Sequence, residues 1–166
     1  MALDWKNDKE YVALVEDLIF TDEVQSLAKF TQHHYSNRLD HSISVSYRSY
    51  LLAKKWNGDE RATARAGLLH DLFFYDWRDQ KMGDGTHAYV HPRIALKNAR
   101  ELTEISKLEE DIIVKHMFGA TIAPPKYKES YIVTLVDKYC ACEEAIVPLY
   151  QKLKHKASAY FGLSQI

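Results

Sequence analysis

Arg65-Ala66-Gly67-Leu68-Leu69-His70-Asp71-Leu72-Phe73-Phe74 is an apolar run of helical character that ends in two adjacent side chains able to bind a metal. Because their neighbours are apolar, we expect His70 and Asp71 to lie at a core. A buried imidazole needs a hydrogen-bond partner and a buried carboxylate needs a cation, since each is costly to desolvate alone. A metal ion satisfies both, provided that the chain supplies further ligands.

The rest of the chain predicts an all-α fold, a helical bundle of about seven or eight helices around a metal centre. Glycine and proline are few, 6 and 4, and no segment alternates as a strand would. We expect helices over about 8–20, 21–33 and 39–56, one opened by residues 59–60, one from about 92, and others over about 107–118, 128–146 and from 148.

Local signals set several of these boundaries. Thr21 is a predicted N-cap, and Ser106 with Glu109 matches a capping box. Pro92 fits the first turn of a helix, which puts His91 at or near its cap. Residues 75–90 lack a period and predict a long loop, a feature that in compact domains is often functional.

Length and composition predict one domain over residues 1–166. The formal net charge is −1, from 22 basic and 23 acidic residues that are mixed along the chain, so no basic stripe indicates nucleic-acid binding. No apolar run approaches the roughly 20 residues of a membrane span, and residues 1–6 do not resemble a signal peptide. We therefore expect a cytoplasmic protein. Cys140 and Cys142 are too close for an unstrained disulfide and are expected to be core or near-core residues.

Four further ligand-type residues lie on or at the edge of different predicted helices. His41 lies in line with apolar residues of the third helix, and His116 follows Ile112 by four residues, next to the apolar run 112–114. Asp137 interrupts a core stripe, where an aspartate is almost never buried unpaired. His91 follows the long loop. Together with His70 and Asp71, these residues predict one shared polar centre. His33, His34 and His87 lie in or beside loops, and His155 is expected to be exposed.

The order His41, His70-Asp71, His91, His116, Asp137 resembles the HD-domain superfamily of metal-dependent phosphohydrolases, in its two-metal subset. The resemblance runs from about 38 to 144, which would form the core of a single HD domain. It implies that one metal is bound by His41, His70, Asp71 and Asp137, and that Asp71 bridges to a second metal held by His91 and His116. Two divalent ions are expected, iron or manganese first, with zinc, nickel, cobalt or magnesium as options.

Such a site predicts a phosphatase or phosphodiesterase. Two metals about 3.5–4 Å apart can share a hydroxide that attacks phosphorus. Asp71 would be catalytic through its bridging role, with His87 as the acid for the leaving group. Arg38, Arg78 and Lys126 are the candidate substrate-binding cations. The expected substrate is a small phosphorylated metabolite or a nucleotide; no nucleic-acid polymer and no membrane are expected as partners, and a homodimer is an option.

Two other functions use the same residues. The six-ligand set also resembles mixed-valent di-iron oxygenases that cleave a small polyol or a hydroxyphosphonate. A non-catalytic nucleotide-sensing HD module is the third option, although such modules usually lack ligands and this chain lacks none. Cyclic dinucleotides are disfavoured, because Phe74 stands where the phosphodiesterases of that branch carry a lysine.

Overall fold

The computed structural model describes residues 3–32, 36–76, 78 and 85–160, with the backbone alone at 148, 149, 151, 152 and 154–160. This part of the chain is all-α, as predicted, and contains no strand. Short 3-10 turns cover Trp5–Asn7 and Leu27–Lys29. The helices are α1 (Lys9–Ile19), α2 (Asp22–Ser26), α3 (Arg38–Lys55), α4 (Glu60–Leu69), α5 (His87–Leu102), α6 (Lys107–Lys115) and α7 (Lys128–Tyr160). His33, His34 and the side chain of His155 lie outside the described residues.

Side-chain caps start several helices where the sequence predicts them. The Thr21 side chain accepts a hydrogen bond from the backbone N–H of Val24 and caps α2. Both halves of the capping box form at α6, between Ser106 and Glu109. Each cap satisfies backbone donors that the first turn leaves without helical partners.

The predicted end of α2 and the predicted start of α5 are wrong. α2 ends at Ser26 instead of continuing to residue 33, because the chain tightens into a 3-10 turn. α5 begins at His87, so His91 lies inside the helix and not at its cap. Pro92 is accepted within this helix because its fixed φ is helical, and only one backbone hydrogen bond is lost.

The last helix is also longer than predicted. The sequence indicates a break before Pro148, whereas the backbone of α7 is helical from Lys128 to Tyr160. A proline in a helix interior removes one hydrogen bond but does not always end the helix. The predicted eighth helix is therefore the continuation of α7.

The core forms where α3, α4, α6 and α7 pack together. α3 and α4 approach closely at Gly67, where a Cβ atom would lie 3.0 Å from the Cα of Ser46. The Ser46 hydroxyl donates to the carbonyl of Ala64 at 2.6 Å and accepts from the buried Tyr11 hydroxyl at 2.8 Å. These contacts fix how closely α3, which carries His41, packs against α4, which ends at His70.

Within the described ranges, no helix combines the length and the apolar character that crossing a membrane requires. The cytoplasmic location stays a prediction.

Candidate metal centre

The six predicted ligands come together in the structure, although they lie on five different helices or the turns that follow them. His41 is in the first turn of α3, His91 is on α5 and Asp137 is on α7, whereas His70 and His116 are the C-caps of α4 and α6. All six are buried, with at most 9% of any residue exposed. Their ligand atoms form three overlapping groups, within each of which the atoms lie within 4.8 Å of one another: His41, His70 and Asp71; His70, His116 and Asp137; Asp71, His91 and His116.

Backbone carbonyls orient three of the imidazoles. His70, His91 and His116 each have Nδ1 at 2.7–2.8 Å from a carbonyl oxygen three or four residues earlier. A carbonyl only accepts, so Nδ1 carries the proton and Nε2 of the neutral ring presents a lone pair. Metal-binding histidines in proteins are usually held in this way. At His70 and His116 the bond also satisfies a carbonyl at a helix end, which would otherwise lack a partner.

The lone pairs at the centre face one another. Nε2 of His91 lies 2.9 Å from Nε2 of His116, and Asp71 Oδ1 lies 3.2 and 3.6 Å from them. Burial lowers the pKa of His116 to about 3, with the neighbouring His70 and His91 as further causes, so its ring is neutral at pH 7. Within the described structure, Asp71 Oδ1 and His70 Nε2 are buried without a hydrogen bond. Several buried acceptors at this distance repel one another, and a cation among them would remove the repulsion.

The other half of the centre holds a proton. His41 Nε2 lies 3.1 Å from Asp137 Oδ1, and its Nδ1 lies 2.9 Å from Glu144 Oε1. Burial disfavours the imidazolium of His41, but the hydrogen bonds to Asp137 and Glu144 outweigh it and raise its pKa to about 10. Burial likewise favours a neutral Asp137, while the hydrogen bond from His41 and the nearby ring of His70, whose Nε2 lies 3.7 Å from Asp137 Oδ1, hold its pKa well below the ordinary range. A metal bound here would displace this proton.

His87, the predicted acid, lies beside the centre as the first residue of α5. Its ring stacks on that of His91, with 4.3 Å between the ring centroids. Burial, with the neighbouring His91 as the next cause, lowers the pKa of His87 to about 4. The position agrees with the predicted role, whereas the low pKa favours the neutral ring at pH 7, so the role of acid stays a prediction.

A cavity of about 230 Å³ opens over the ligands. Its described lining consists of Gln32, Asp71, His87, His91, His116, Met117, Asp137, Lys138 and Ala141. Lys138 is the one lysine or arginine in this lining, and its Nζ donates to the carbonyl of His116 at 3.1 Å. The described lining therefore combines four of the six predicted ligands with a single ammonium group.

The three predicted substrate-binding cations do not line this cavity. Arg38 is fully buried, with its guanidinium 3.5 Å from the centroid of the Phe73 ring and Nη1 donating to the Phe73 carbonyl at 2.6 Å. Arg78 donates to the carbonyl of Gln32 at 3.0 Å. Lys126 lines a separate groove at the start of α6. A buried guanidinium that already binds carbonyls has little freedom to reach a substrate.

Gln32 links Arg38 to the centre, a contact that the sequence does not indicate. Arg38 Nε donates to Gln32 Oε1 at 2.9 Å, and Gln32 Nε2 donates to Asp71 Oδ2 at 2.5 Å. An arginine only donates, so it fixes which end of the Gln32 amide faces Asp71. Oδ2 of Asp71 is thus held by an N–H, and Oδ1 is directed at His91 and His116.

Sequence reasoning also missed Lys138 and Glu144. Glu144 follows Asp137 by seven residues, a spacing that returns to the same helix face, and Lys138 is next to Asp137 in the chain. The position of each residue relative to Asp137 on the helix could therefore have predicted that it lies near the centre. Gln32 had no such signal, because it lies in an irregular segment after the 3-10 turn.

The all-α fold and its buried cluster of histidines and aspartates are typical of a metal-binding protein, and comparison with known proteins identifies the family. The HD domain family model matches residues 38–142, and the chain belongs to this family. Membership supports a metal-dependent hydrolase. That residues 1–166 form a single domain stays a prediction.

Curated relatives add a second likeness. Ribonuclease Y of Clostridium tetani is 26% identical over 147 residues, which are 82% of this chain and 26% of that protein. Ribonuclease Y of Campylobacter fetus subsp. fetus and that of Campylobacter curvus are each 41% identical over 44 residues, 26% of this chain and 8% of theirs. The chain thus spans about a quarter or less of these relatives. No solved structure matches it.

With metal removed by a chelator, we expect the free energy of unfolding to be largest near pH 6.5, the ordinary histidine pKa. The pKa values of His116 and His87, about 3 and about 4, lie below that value. Between pH 6.5 and 4 the unfolded chain therefore binds protons that the folded chain does not, and stability falls as the pH falls. The contribution of His41, with a pKa of about 10, is complete below pH 6.5 and is lost as the pH rises towards 10.

Urea unfolding in chelator between about pH 4.5 and about pH 9 measures this profile. A stability that rises steadily from pH 6.5 to 9 would contradict the assigned hydrogen bonds of His41.

Substitution of Gln32 by Leu is expected to weaken metal binding about 10- to 100-fold, the usual effect of removing a group that orients a ligand. The variant keeps the size of the side chain but removes the N–H that holds Asp71 Oδ2. Calorimetric titration of chelator-treated protein with Mn²⁺ measures the affinity. Gln25→Leu is the matched control, because the Gln25 amide donates to the Ile19 carbonyl away from the centre. Equal affinities in the two variants would exclude this role for Gln32.

Proposed function

We propose that this chain is a metal-dependent phosphohydrolase that acts on a small phosphorylated metabolite or a nucleotide. The observation that carries the proposal is the set of buried acceptors formed by Asp71, His91 and His116, next to His41, His70 and Asp137 under an open cavity. Such a set is costly in a metal-free core and is suited to a pair of cations.

The donor chemistry fits divalent ions of the iron, manganese or zinc type. Four imidazoles and two carboxylates, with no thiolate, would hold the pair, and geometry more than affinity selects among these metals. His41, His70 and Asp137 would serve one ion, His91 and His116 the other, and Asp71 both. When bound, two such ions lower the pKa of a water and polarise a phosphoryl oxygen.

The protein's own side chains supply the remaining parts of the site. Gln32 and Glu144 hold Asp71 and His41 in fixed orientations before any ligand binds. Lys138 places a positive charge in the cavity, where it can pair with a phosphoryl oxygen of the substrate. This lysine replaces Arg38, Arg78 and Lys126 as our candidate for phosphate binding.

The size of the cavity favours a small reacting group. Pockets that enclose a whole drug-sized ligand usually measure about 300–1,000 Å³. A volume of about 230 Å³ is suited to a phosphoryl group with a few further atoms. A nucleotide would place its phosphate in the cavity and its base outside.

RNA is the second candidate substrate, because the relatives described above are named ribonuclease Y. Hydrolysis of an RNA phosphodiester would use the same metal site. The expectation of no nucleic-acid polymer follows from the net charge of −1 and the absence of a basic stripe, and it stays a prediction. The same ligand set also leaves the di-iron oxygenase reaction as an alternative to be tested.

The experiment is a substrate panel with protein stripped of metal and reloaded with Mn²⁺ or Fe²⁺ in the absence of oxygen. The panel contains phosphate monoesters, nucleotides, dinucleoside polyphosphates and RNA oligonucleotides, and phosphate release and RNA cleavage are measured. Turnover of monoesters or nucleotides supports the proposal, and cleavage of RNA alone shifts the substrate to a polymer. No hydrolysis, combined with oxygen uptake by the iron form in the presence of diols, would replace it by the oxygenase reaction.

Variants at two positions, Asp71 and Lys138, test the residue roles. We expect Asp71→Ala to reduce kcat/KM by about 1,000-fold or more, because it removes the carboxylate shared by both halves of the site. Lys138→Met should raise KM about 10-fold or more with a smaller change in kcat, and Lys138→Arg should restore most of it, since charge on the ground-state phosphate acts mainly on binding. Full turnover by Asp71→Ala would contradict the site assignment.

A further inference from the structure

The outward face of α7 carries a continuous row of apolar side chains. We call it the outer stripe; its residues are Tyr131, Leu135, Tyr139, Cys142, Ile146, Tyr150 and Leu153. Every member is exposed, and the exposed fractions of Leu135, Ile146 and Tyr150 are 60%, 61% and 65%. Single exposed apolar residues are common, whereas a contiguous row of this length usually marks an interaction site.

The stripe lies opposite the face by which α7 packs into the core. Val133, Val136 and Cys140 are buried on that inner face, where Asp137 joins the metal centre. α7 is therefore apolar on two opposite sides. A helix that is apolar on two sides is usually covered on both of them. In the described structure, other helices cover the inner face of α7 and leave the outer stripe exposed.

The spacing within the stripe is regular. Successive members are 4, 4 and 3 residues apart, and this pattern occurs twice, so that residues 131, 142 and 153 are separated by eleven. An eleven-residue repeat, at about 3.67 residues per turn, keeps a face aligned along a nearly straight helix. The stripe extends over about 33 Å at 1.5 Å per residue.

We propose that the outer stripe binds a second copy of this chain, through an antiparallel pair of α7 helices related by a two-fold axis at Cys142. Cys142 is the midpoint of the stripe, with three large residues on each side. The axis pairs Tyr131 with the partner's Leu153, and it sets Tyr139 and Leu135 within one residue, about 1.5 Å, of the positions opposite the partner's Ile146 and the partner's Tyr150. The smallest member lies where the two helices cross, which permits close approach of the backbones.

A groove between α3 and α7 adds a concave apolar surface to this interface. Its volume is about 440 Å³, and its walls are Arg48, Leu51, Leu52, Leu135, Val136 and Tyr139. In the antiparallel pair, this groove faces the part of the partner's stripe that follows Cys142 in the sequence. A two-fold axis repeats every contact, so each copy needs only one half of its stripe to be complementary to the other half of the partner's stripe.

The area is sufficient for a dimer. Six large stripe residues that expose roughly 100 Å² each give about 600 Å² per copy, or about 1,200 Å² for the pair. This is the lower end of the range for stable protein interfaces, and the groove residue Leu51, which is 42% exposed, adds to it.

The first test is the mass of the full chain in solution, by light scattering and sedimentation over a concentration series. We expect a dimer, and we expect Ile146→Glu to raise its dissociation constant at least about 30-fold. Ile122→Glu is the matched control, because Ile122 is 99% exposed in the loop before α7. A monomeric wild type, an Ile146→Glu variant that stays dimeric, or equal effects of both substitutions would overturn the proposal.

The second test locates the axis by mild oxidation with copper phenanthroline, which joins only thiols that lie in contact. Cys142 is exposed in the single chain and would face its copy at the axis, whereas Cys140 is buried, so oxidation should form a disulfide bond between the two copies of Cys142. We expect a covalent dimer in the wild type and in Cys140→Ser, and none in Cys142→Ser. A dimer in solution that Cys142 cannot cross-link would place the interface elsewhere. Neither test requires a metal in the centre or a substrate, so their outcomes are independent of the proposed hydrolase function.

Discussion

Three acceptors facing one another inside the protein are the constraint on which the centre depends. Nε2 of His91, Nε2 of His116 and Oδ1 of Asp71 lie 2.9–3.6 Å apart, in a region that water does not reach freely. Without a cation this arrangement costs free energy, because each group is removed from water and gains no donor. A fold that keeps such a cluster must recover that cost when it binds its ligand, and a divalent metal is a ligand that the donors fit.

The backbone maintains this arrangement by directing the protons away from the centre. His70 and His116 stand at the ends of α4 and α6, and their Nδ1–H groups bind carbonyls that the last helical turn leaves without partners. The same hydrogen bond therefore completes a helix and aims Nε2 inward. Asp71 is held in a comparable way by Gln32, whose orientation the buried Arg38 determines. The site is thus organised by helix ends and one loop amide before metal arrives.

The sequence predicts those parts of this structure that depend on local pattern. The ligand order, the capping box at Ser106 and the interrupted core stripe around Asp137 are all readable from helical spacing, and the structure brings the six residues together. The predicted extents of α5 and α7 are wrong because Pro92 and Pro148 predict helix boundaries, whereas each proline lies inside a helix that lacks one backbone hydrogen bond there. The surroundings of Arg38 and Gln32 depend on contacts between distant segments, for which the chain carries no periodic signal.

The measurement that tests the centre most directly is the metal content per chain, by elemental analysis of protein purified without added metal or chelator and without oxygen. We predict close to two equivalents of divalent metal, and about one in a His116→Ala variant, because the His91 and His116 half then loses a ligand. Protein that contains no metal, and takes up none when supplied with iron, manganese or zinc, would contradict this prediction.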